Sequence, residues 1–179
     1  SLMQPHLQSR PPMGSVRPLP HDPALVSLLP IDEMAVLDQA RRLQRTAAAG
    51  PVQPLLRGKN LGLLCADGTQ PQALLFRQAA SELGAHVAHI GMSLSERSST
   101  QEVAHTARML GRLYDAVECQ GLPSALVMQM SSVAGIAVYD ALAGNEALLT
   151  RLASQLGDAA AFTQNRRVAL QALLLHTIV

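Results

Sequence analysis

An alternation of short apolar stretches with longer amphipathic ones most strongly limits the folds open to this chain. The first example runs from Asn60 to Phe76 and contains an apolar strand, a tight loop and the start of a helix. Short apolar strands separated by helices are typical of a parallel sheet covered on both faces. We therefore predict a three-layer α/β fold with a four-stranded parallel sheet. In such a fold, the loop after the first strand can place an anion against helix N–H groups.

The predicted elements continue this alternation along the chain. The predicted strands are Leu61–Cys65, Ala85–Ile90, Ala116–Cys119 and Ile136–Tyr139. The predicted helices between and after them are Gln70–Leu83, Gln101–Tyr114, Pro123–Val133 and Glu146–Leu156. Right-handed crossovers then put helices on both faces of the sheet.

Two further helices are predicted outside the alternation. Asp32 is a suitable N-cap for a helix whose apolar positions recur at helical spacing. These positions are Met34, Leu37, Ala40 and Leu43. Near the other end, Asn165 is the expected cap of a final helix with a wide apolar stripe, which we expect to dock on the domain.

The chain divides into three predicted regions. Residues 1–23 contain six prolines and almost no apolar periodicity, which predicts a flexible arm. Residues 24–156 form the predicted α/β domain. Residues 157–179 are predicted to be a linker and a C-terminal helix that docks back on that domain.

The composition excludes some classes of partner. Of 179 residues 48% are hydrophobic, and the net charge is +1 without a basic run. This charge pattern gives no sign of nucleic-acid binding, and the longest uncharged stretch is broken by polar residues, Pro and Gly. We expect a cytoplasmic protein without nucleic-acid or membrane partners. Because only 2% of residues are aromatic, we expect Met109, Met128 and Met130 to help fill the core.

Three segments carry a resemblance to a known family. They are residues 53–60 (QPLLRGKN), residues 83–85 (LGA) together with Phe76, and residues 106–115 (TARMLGRLYD). On these segments the chain resembles, from Leu25 to about Leu142, the N-terminal carbamoyl-phosphate domain of ornithine and aspartate carbamoyltransferases. The resemblance implies a Rossmann-like α/β domain whose N- and C-terminal helices pack together. It also implies self-association, because this domain forms the trimer interface in the family.

The family's phosphate-binding residues are replaced here. The pattern Ser-Thr-Arg-Thr-Arg of its phosphate loop falls on Thr69, Gln70, Pro71, Gln72 and Ala73. Asp67 stands where ornithine enzymes usually have a lysine, and Gln120 stands where the family has an arginine after the third strand. The His-Pro-Thr-Gln segment has no counterpart in residues 143–151, and the amino-acid-binding domain is missing between about Leu156 and Asn165.

A magnitude indicates what these replacements mean for phosphate binding. A hydrogen bond to a charged group contributes roughly 1.5–3 kcal/mol. The loss of three arginine contacts therefore costs about 4.5–9 kcal/mol, or roughly a thousand-fold to a million-fold in affinity. Carbamoyl transfer by this chain alone is not expected, so no catalytic residue is assigned.

The crevice at the ends of the strands is the candidate ligand site. Its candidate residues are Cys65, Asp67, Thr69, Gln70, Gln72 and Gln120. For Thr69, a plain helix cap is favoured over a relic anion site. Cys65 and Cys119 end strands that are neighbours in the family's sheet, so their thiols could approach each other, but buried apolar cysteines are the favoured interpretation. No metal or cofactor is expected.

The favoured function is a non-catalytic assembly or regulatory homologue. It would form a homotrimer or a complex with a full-length carbamoyltransferase. A second hypothesis is a small-ligand binder or an enzyme of altered chemistry that uses the crevice. A third is residual carbamoyl transfer in a complex whose partner supplies arginines and the second domain.

Overall fold

The computed structural model describes residues 31–179, so the predicted arm at residues 1–23 lies outside the described residues. The strands are β1 (Asn60–Leu64), β2 (His86–Ile90), β3 (Ala116–Cys119) and β4 (Ala137–Asp140). The helices are α1 (Glu33–Ala49), α2 (Pro71–Glu82), α3 (Thr100–Leu113), α4 (Ser124–Ala134), α5 (Glu146–Gln155) and α6 (Phe162–Ile178). Short 3₁₀ helices cover Leu142–Gly144 and Ala159–Ala161. The predicted fold class is confirmed, with most element bounds within one residue of those expected.

All four strands are parallel, in the order β2-β1-β3-β4. The first crossover runs from β1 to β2 on one side, and the next returns to β3 on the other side of β1. The strand order therefore reverses between β1 and β3, which is where ligands bind in open α/β sheets. The loops after β1 and β3 flank this point, where the sequence predicts the crevice.

The core has two layers, one on each face of the sheet. The larger cluster joins β1, α1, α2, α5 and α6, with Leu61, Phe76 and Leu173 fully buried. The second cluster joins the opposite face of the sheet to α3 and α4, with Val117 and Met130 at its centre. Since both faces are covered, burial extends through almost every residue of β1 and β3.

Helices α1 and α6 pack together on the larger cluster, as expected. Asp32 caps α1 by accepting a hydrogen bond from the N–H of Ala35 at 3.1 Å. The predicted apolar stripe was wrong at Met34, which is 76% exposed; Val36 is buried in its place. Val36 and the adjacent Leu37 both belong to the larger cluster, which also contains the buried side chains of α6.

Asn165 does not cap α6, so that prediction is wrong. A 3₁₀ turn leads directly into α6 at Phe162, which leaves Asn165 inside the helix and buried. Its side-chain oxygen accepts a hydrogen bond from Gln44 Nε2 of α1 at 2.9 Å. Gln44 Nε2 also donates to the backbone oxygen of Leu156 at 3.1 Å. The polar residue thus joins two packed helices instead of beginning one.

The expectation that three methionines fill the core holds only for Met130. Met109 on α3 is 46% exposed, and Met128 on α4 is 48% exposed. Each of these helices turns only one side toward the sheet, and both side chains lie on the other side. Across residues 31–179 no helix has the length and apolarity that a bilayer crossing needs.

Candidate functional site

The loop from β1 to α2 holds an anion that belongs to the protein itself. Asp67 Oδ1 accepts hydrogen bonds from the N–H of Thr69 at 2.9 Å and from Thr69 Oγ1 at 2.6 Å. Asp67 Oδ2 accepts a third from Gln70 Nε2 at 3.1 Å. The Asp67 carboxylate therefore takes three donors of Thr69 and Gln70 just before α2.

These contacts make the Asp67 carboxylate a stable anion. The hydrogen bonds from the side chain and backbone of Thr69, with that from Gln70, lower the pKa of Asp67 below its ordinary value. The expectation that Thr69 caps α2 is wrong: Gln70 is the N-cap residue, without a side-chain cap bond. The Thr69 hydroxyl instead donates to Asp67, two residues earlier in the chain.

A second carboxylate, Glu118 near the end of β3, was not singled out by the sequence reasoning. Glu118 is 0% exposed, and β3 pairs it with Leu63 on one side and Tyr139 on the other. Its two oxygens accept backbone N–H groups from the turn after β4: Leu142 N to Oε1 at 2.8 Å and Ala143 N to Oε2 at 2.9 Å. This carboxylate therefore supports the turn from below, inside the larger core cluster.

Burial has the largest effect on the pKa of Glu118. Removal from water raises the pKa of Glu118 to about 7, although the N–H groups of Ala143 and Leu142 favour the charged form and partly oppose the rise. The nearby charge of Asp140 raises it further. The sequence signal that could have located this group is a single acidic residue in the buried run Ala116–Cys119.

Gln120 and Ser124 each lie within hydrogen-bond distance of a carboxyl group at this edge of the sheet. Gln120 is 93% buried, its Nε2 lies 3.4 Å from Glu118 Oε2, and its backbone N–H donates to Leu64 O. Ser124 Oγ, in the first turn of α4, donates to Asp140 Oδ2 at 2.6 Å. Three acidic side chains, Asp67, Glu118 and Asp140, thus lie along this edge, and each already accepts hydrogen bonds from backbone N–H groups or a hydroxyl of the same chain.

The two cysteines do not form a pair. Both are free and buried, as favoured. In the sheet Cys119 is level with Leu64, so Cys65 is one residue further along, and the two thiols lie on opposite faces in different core clusters. Burial raises the pKa of each thiol, and the Asp67 charge adds to the effect on Cys65.

The comparisons with known proteins all point to one group of enzymes. The chain is 36% identical over 107 residues to ornithine carbamoyltransferase from Actinobacillus pleuropneumoniae serotype 5b (strain L20), covering 60% of the chain and 32% of that protein. It is 34% identical over 118 residues to the catabolic ornithine carbamoyltransferase of Mycoplasma capricolum subsp. capripneumoniae, covering 66% and 38%. No family model matches the sequence.

Solved structures give the same fold. Ornithine carbamoyltransferase from Pyrococcus furiosus matches with a TM-score of 0.58 at 20% identity, covering 75% of the chain and 43% of that protein. Aspartate transcarbamoylase from Trypanosoma cruzi, in complex with N-(phosphonacetyl)-L-aspartic acid, matches with a TM-score of 0.53 at 24% identity, covering 70% and 40%. The chain is therefore similar, in sequence and in fold, to carbamoyltransferases. It spans about a third of the length of the curated relatives it matches.

In this carbamoyltransferase-like chain, the two positions that correspond to loop arginines have different surroundings. Pro71 is exposed in the first turn of α2, whereas Ala73 is 0% exposed in the larger core cluster. Gln72 lies against the turn after β4, since a Cβ built on Gly144 would be 2.1 Å from Gln72 Oε1. An arginine is therefore sterically possible at position 71 but would overpack the core at position 73.

Two cavities of the carbamoyltransferase-like chain lie away from the crevice residues. Two shallow cavities of about 340 Å³ and 480 Å³ run along α1, one beside Arg45 and Gln53 and the other beside His176 and Val179. They have no residue of the crevice in their lining. Among residues 31–179 no group of three or more His, Cys, Asp or Glu side chains is placed to hold a metal ion.

Proposed function

We propose that this chain is a non-catalytic carbamoyltransferase-like assembly or regulatory module. One observation carries the proposal: three backbone N–H groups at the carboxyl edge of the sheet already donate to carboxyl groups of the chain itself. Thr69 N–H is bonded to Asp67, and the N–H groups of Leu142 and Ala143 are bonded to Glu118. A phosphate that used these donors would have to displace the two carboxyl groups and remain beside the negative charge of Asp67.

The balance of energies supports this proposal. Each charged hydrogen bond that an arginine would make contributes roughly 1.5–3 kcal/mol, whereas a bare helix N-terminus contributes about 0.3–1 kcal/mol. Pro71, Ala73 and Gln120 occupy the arginine positions that the resemblance implies. The remaining attraction for a dianion is therefore small, and Asp67 opposes it.

The assembly role draws support from apolar side chains on the outer side of α3 and α4. Met109 and Leu113 lie one turn apart on α3, and Met128 on the adjacent α4 is also exposed. Exposed apolar side chains on neighbouring helices favour association with another protein surface. We infer a homotrimer, or a complex with a full-length carbamoyltransferase in the cytoplasm, as the resemblance implies.

The expected absence of anion binding is tested by calorimetric titration with carbamoyl phosphate. We expect no saturable binding by the wild type up to about 1 mM, which corresponds to a binding free energy of about −4 kcal/mol. The Asp67→Asn/Pro71→Arg variant removes the competing carboxylate and restores one cation, so its affinity should rise by roughly 10-fold or more. Ser81→Arg, at the far end of α2, adds the same charge as a control and should leave binding unchanged. Micromolar binding by the wild type would refute the proposal.

The assembly role is tested by sedimentation velocity. We expect a trimer, or co-sedimentation with a carbamoyltransferase from the same cell. Met109→Glu/Leu113→Glu should reduce the association state while the circular dichroism spectrum stays unchanged. Met34→Glu introduces the same charge at an exposed apolar position of α1 and should have no effect. A wild type that stays monomeric up to about 100 µM, with no transferase bound, would contradict this role.

The alternative functions are separated from the assembly role by two assays. Formation of citrulline or carbamoyl-aspartate by the chain mixed with a full-length transferase, above that of the transferase alone, would favour residual carbamoyl transfer. Thermal stabilisation by an amide or amine metabolite, lost in Gln120→Leu, would favour a ligand-binding crevice. The proposed module gives neither result.

A further inference from the structure

The turn after β4 is held closed over a buried acid. The latch turn, residues Ala141–Gly144, places the N–H groups of Leu142 and Ala143 on the two oxygens of Glu118 at 2.8 and 2.9 Å. Leu142 and Ala143 are themselves 0% exposed, so the turn also covers the acid from water. Opening the turn would remove its two donors and at the same time admit water to the carboxyl group.

In the part of the chain from residue 31 to residue 179, the groups around Glu118 give its ionised form no compensating cation. The ionisable groups that act on it are Asp140 and Tyr139 of β4, Cys119 of β3, and Cys65 just after β1. All of these are neutral or negative. On the helices packed against this face, three arginines already pair with other carboxylates. The pairs are Arg167 with Glu82, Arg166 with Glu146, and Arg151 with Glu33. Arg77 of α2 acts on Cys65.

The latch turn also contains backbone strain. Ala141 has a φ of 51°, the left-handed region that residues with a Cβ rarely adopt, and it is the single non-glycine residue with positive φ between residues 31 and 179. Its conformation persists because the neighbouring N–H groups are held by Glu118 and because Ala141 N donates to Cys119 O at 2.7 Å. A strained segment held by a few contacts is a suitable element to change conformation.

From this geometry we propose that Glu118 is a proton-controlled latch: neutral Glu118 keeps the turn at residues 141–144 closed, and ionised Glu118 opens it. Complete burial disfavours the ionised carboxylate more than the N–H groups of Leu142 and Ala143 favour it, so ionisation shifts the equilibrium toward the open form, where water solvates the charge. Because Gln72 lies against Gly144, opening also moves one wall of the crevice. The proposal does not depend on what the crevice binds.

The test is amide hydrogen exchange at Leu142 and Ala143, measured by NMR at pH 6 and pH 8 and corrected for intrinsic exchange rates. With pKa values of about 7 for closed Glu118 and 4.5 for the exposed group, protection should fall by about tenfold from pH 6 to pH 8. Glu118→Gln should retain its protection at both pH values. Glu96→Gln, at an exposed position, should behave as the wild type does.

Equal protection at the two pH values in the wild type would overturn the proposal, as would the wild-type pH dependence in Glu118→Gln. If Glu118→Gln does not fold, the carboxyl ¹³C resonance of Glu118 in the wild type decides. A midpoint near 7, above which the fall in protection of Leu142 and Ala143 levels off, supports the latch. A midpoint at the ordinary value for glutamate refutes it.

Discussion

Individual side chains decide the chemistry of the carboxyl edge. Asp67 and Glu118 are carboxyl groups of the chain itself, and each accepts hydrogen bonds from backbone N–H groups near this edge. Their electrostatic situations are opposite, because exposed Asp67 is stabilised as an anion while buried Glu118 is destabilised as one. A carboxyl group therefore stabilises the loop before α2 as an anion, whereas at the turn after β4 it makes the stability depend on pH.

At this scale, Ala141→Gly tests the strain in the latch turn. Glycine adopts positive φ without the Cβ penalty, so the free energy of unfolding should rise by about 0.5–1 kcal/mol despite the greater entropy of the unfolded chain. Ala104→Gly inside α3 is the matched substitution and should lower it by about 1 kcal/mol. Urea denaturation of both variants measures the two values. A loss of stability in Ala141→Gly would show that the turn is not strained.

Among the elements, the helices α3 and α4 pack with their backbones in close contact at Gly111. A Cβ built on Gly111 of α3 would lie 2.0 Å from the backbone oxygen of Ala134, the last residue of α4. The backbone of one helix cannot move aside as a flexible side chain can. The glycine in the segment TARMLGRLYD is thus explained by helix packing, independently of any ligand.

Gly111→Ala should consequently separate α3 from α4 and destabilise the domain by about 1–3 kcal/mol, as overpacking does. Gly91→Ala is the control, since a Cβ there meets no atom within 4 Å and its φ is not positive. Thermal unfolding followed by circular dichroism compares the two variants. Equal melting temperatures would contradict the close helix contact.

In the whole molecule, the pH dependence of stability depends strongly on Glu118. Its pKa is raised on folding from 4.5 to about 7, so the folded state binds the proton more tightly. The contribution is fully present below pH 4.5 and is lost as the pH rises toward 7. From pH 5 to pH 8 the free energy of unfolding should fall by about 2–3 kcal/mol through this group.

Glu118→Gln should remove that decrease, since it has no charge to bury. Guanidinium denaturation at pH 5 and pH 8 measures the difference, with Glu96→Gln as the control that keeps it. The lowered pKa of Asp67 acts in a separate window, because its contribution is lost only as the pH falls through that lowered value. A wild-type stability that does not decrease between pH 5 and pH 8 would count against the buried charge.

Docking of α6 holds the two ends of the described chain together. Leu173 is 0% exposed among side chains of the larger cluster. Leu173→Ala should cost about 2–5 kcal/mol because it leaves a cavity. Val179→Ala, at a position 78% exposed, should change stability little. Chemical denaturation of both variants tests whether α6 is part of the cooperative unit.

The sequence by itself determined the elements, the parallel sheet and the exchange of cationic for neutral or acidic loop residues, because apolar periodicity and residue type act locally. It did not reveal that Cys65 and Cys119 lie on opposite faces, which depends on a one-residue offset between β1 and β3. Only the tertiary structure placed Glu118 beneath the N–H groups of Leu142 and Ala143, 24 and 25 positions away. Burial and hydrogen bonding between distant segments follow from strand order and helix packing, which no local pattern specifies.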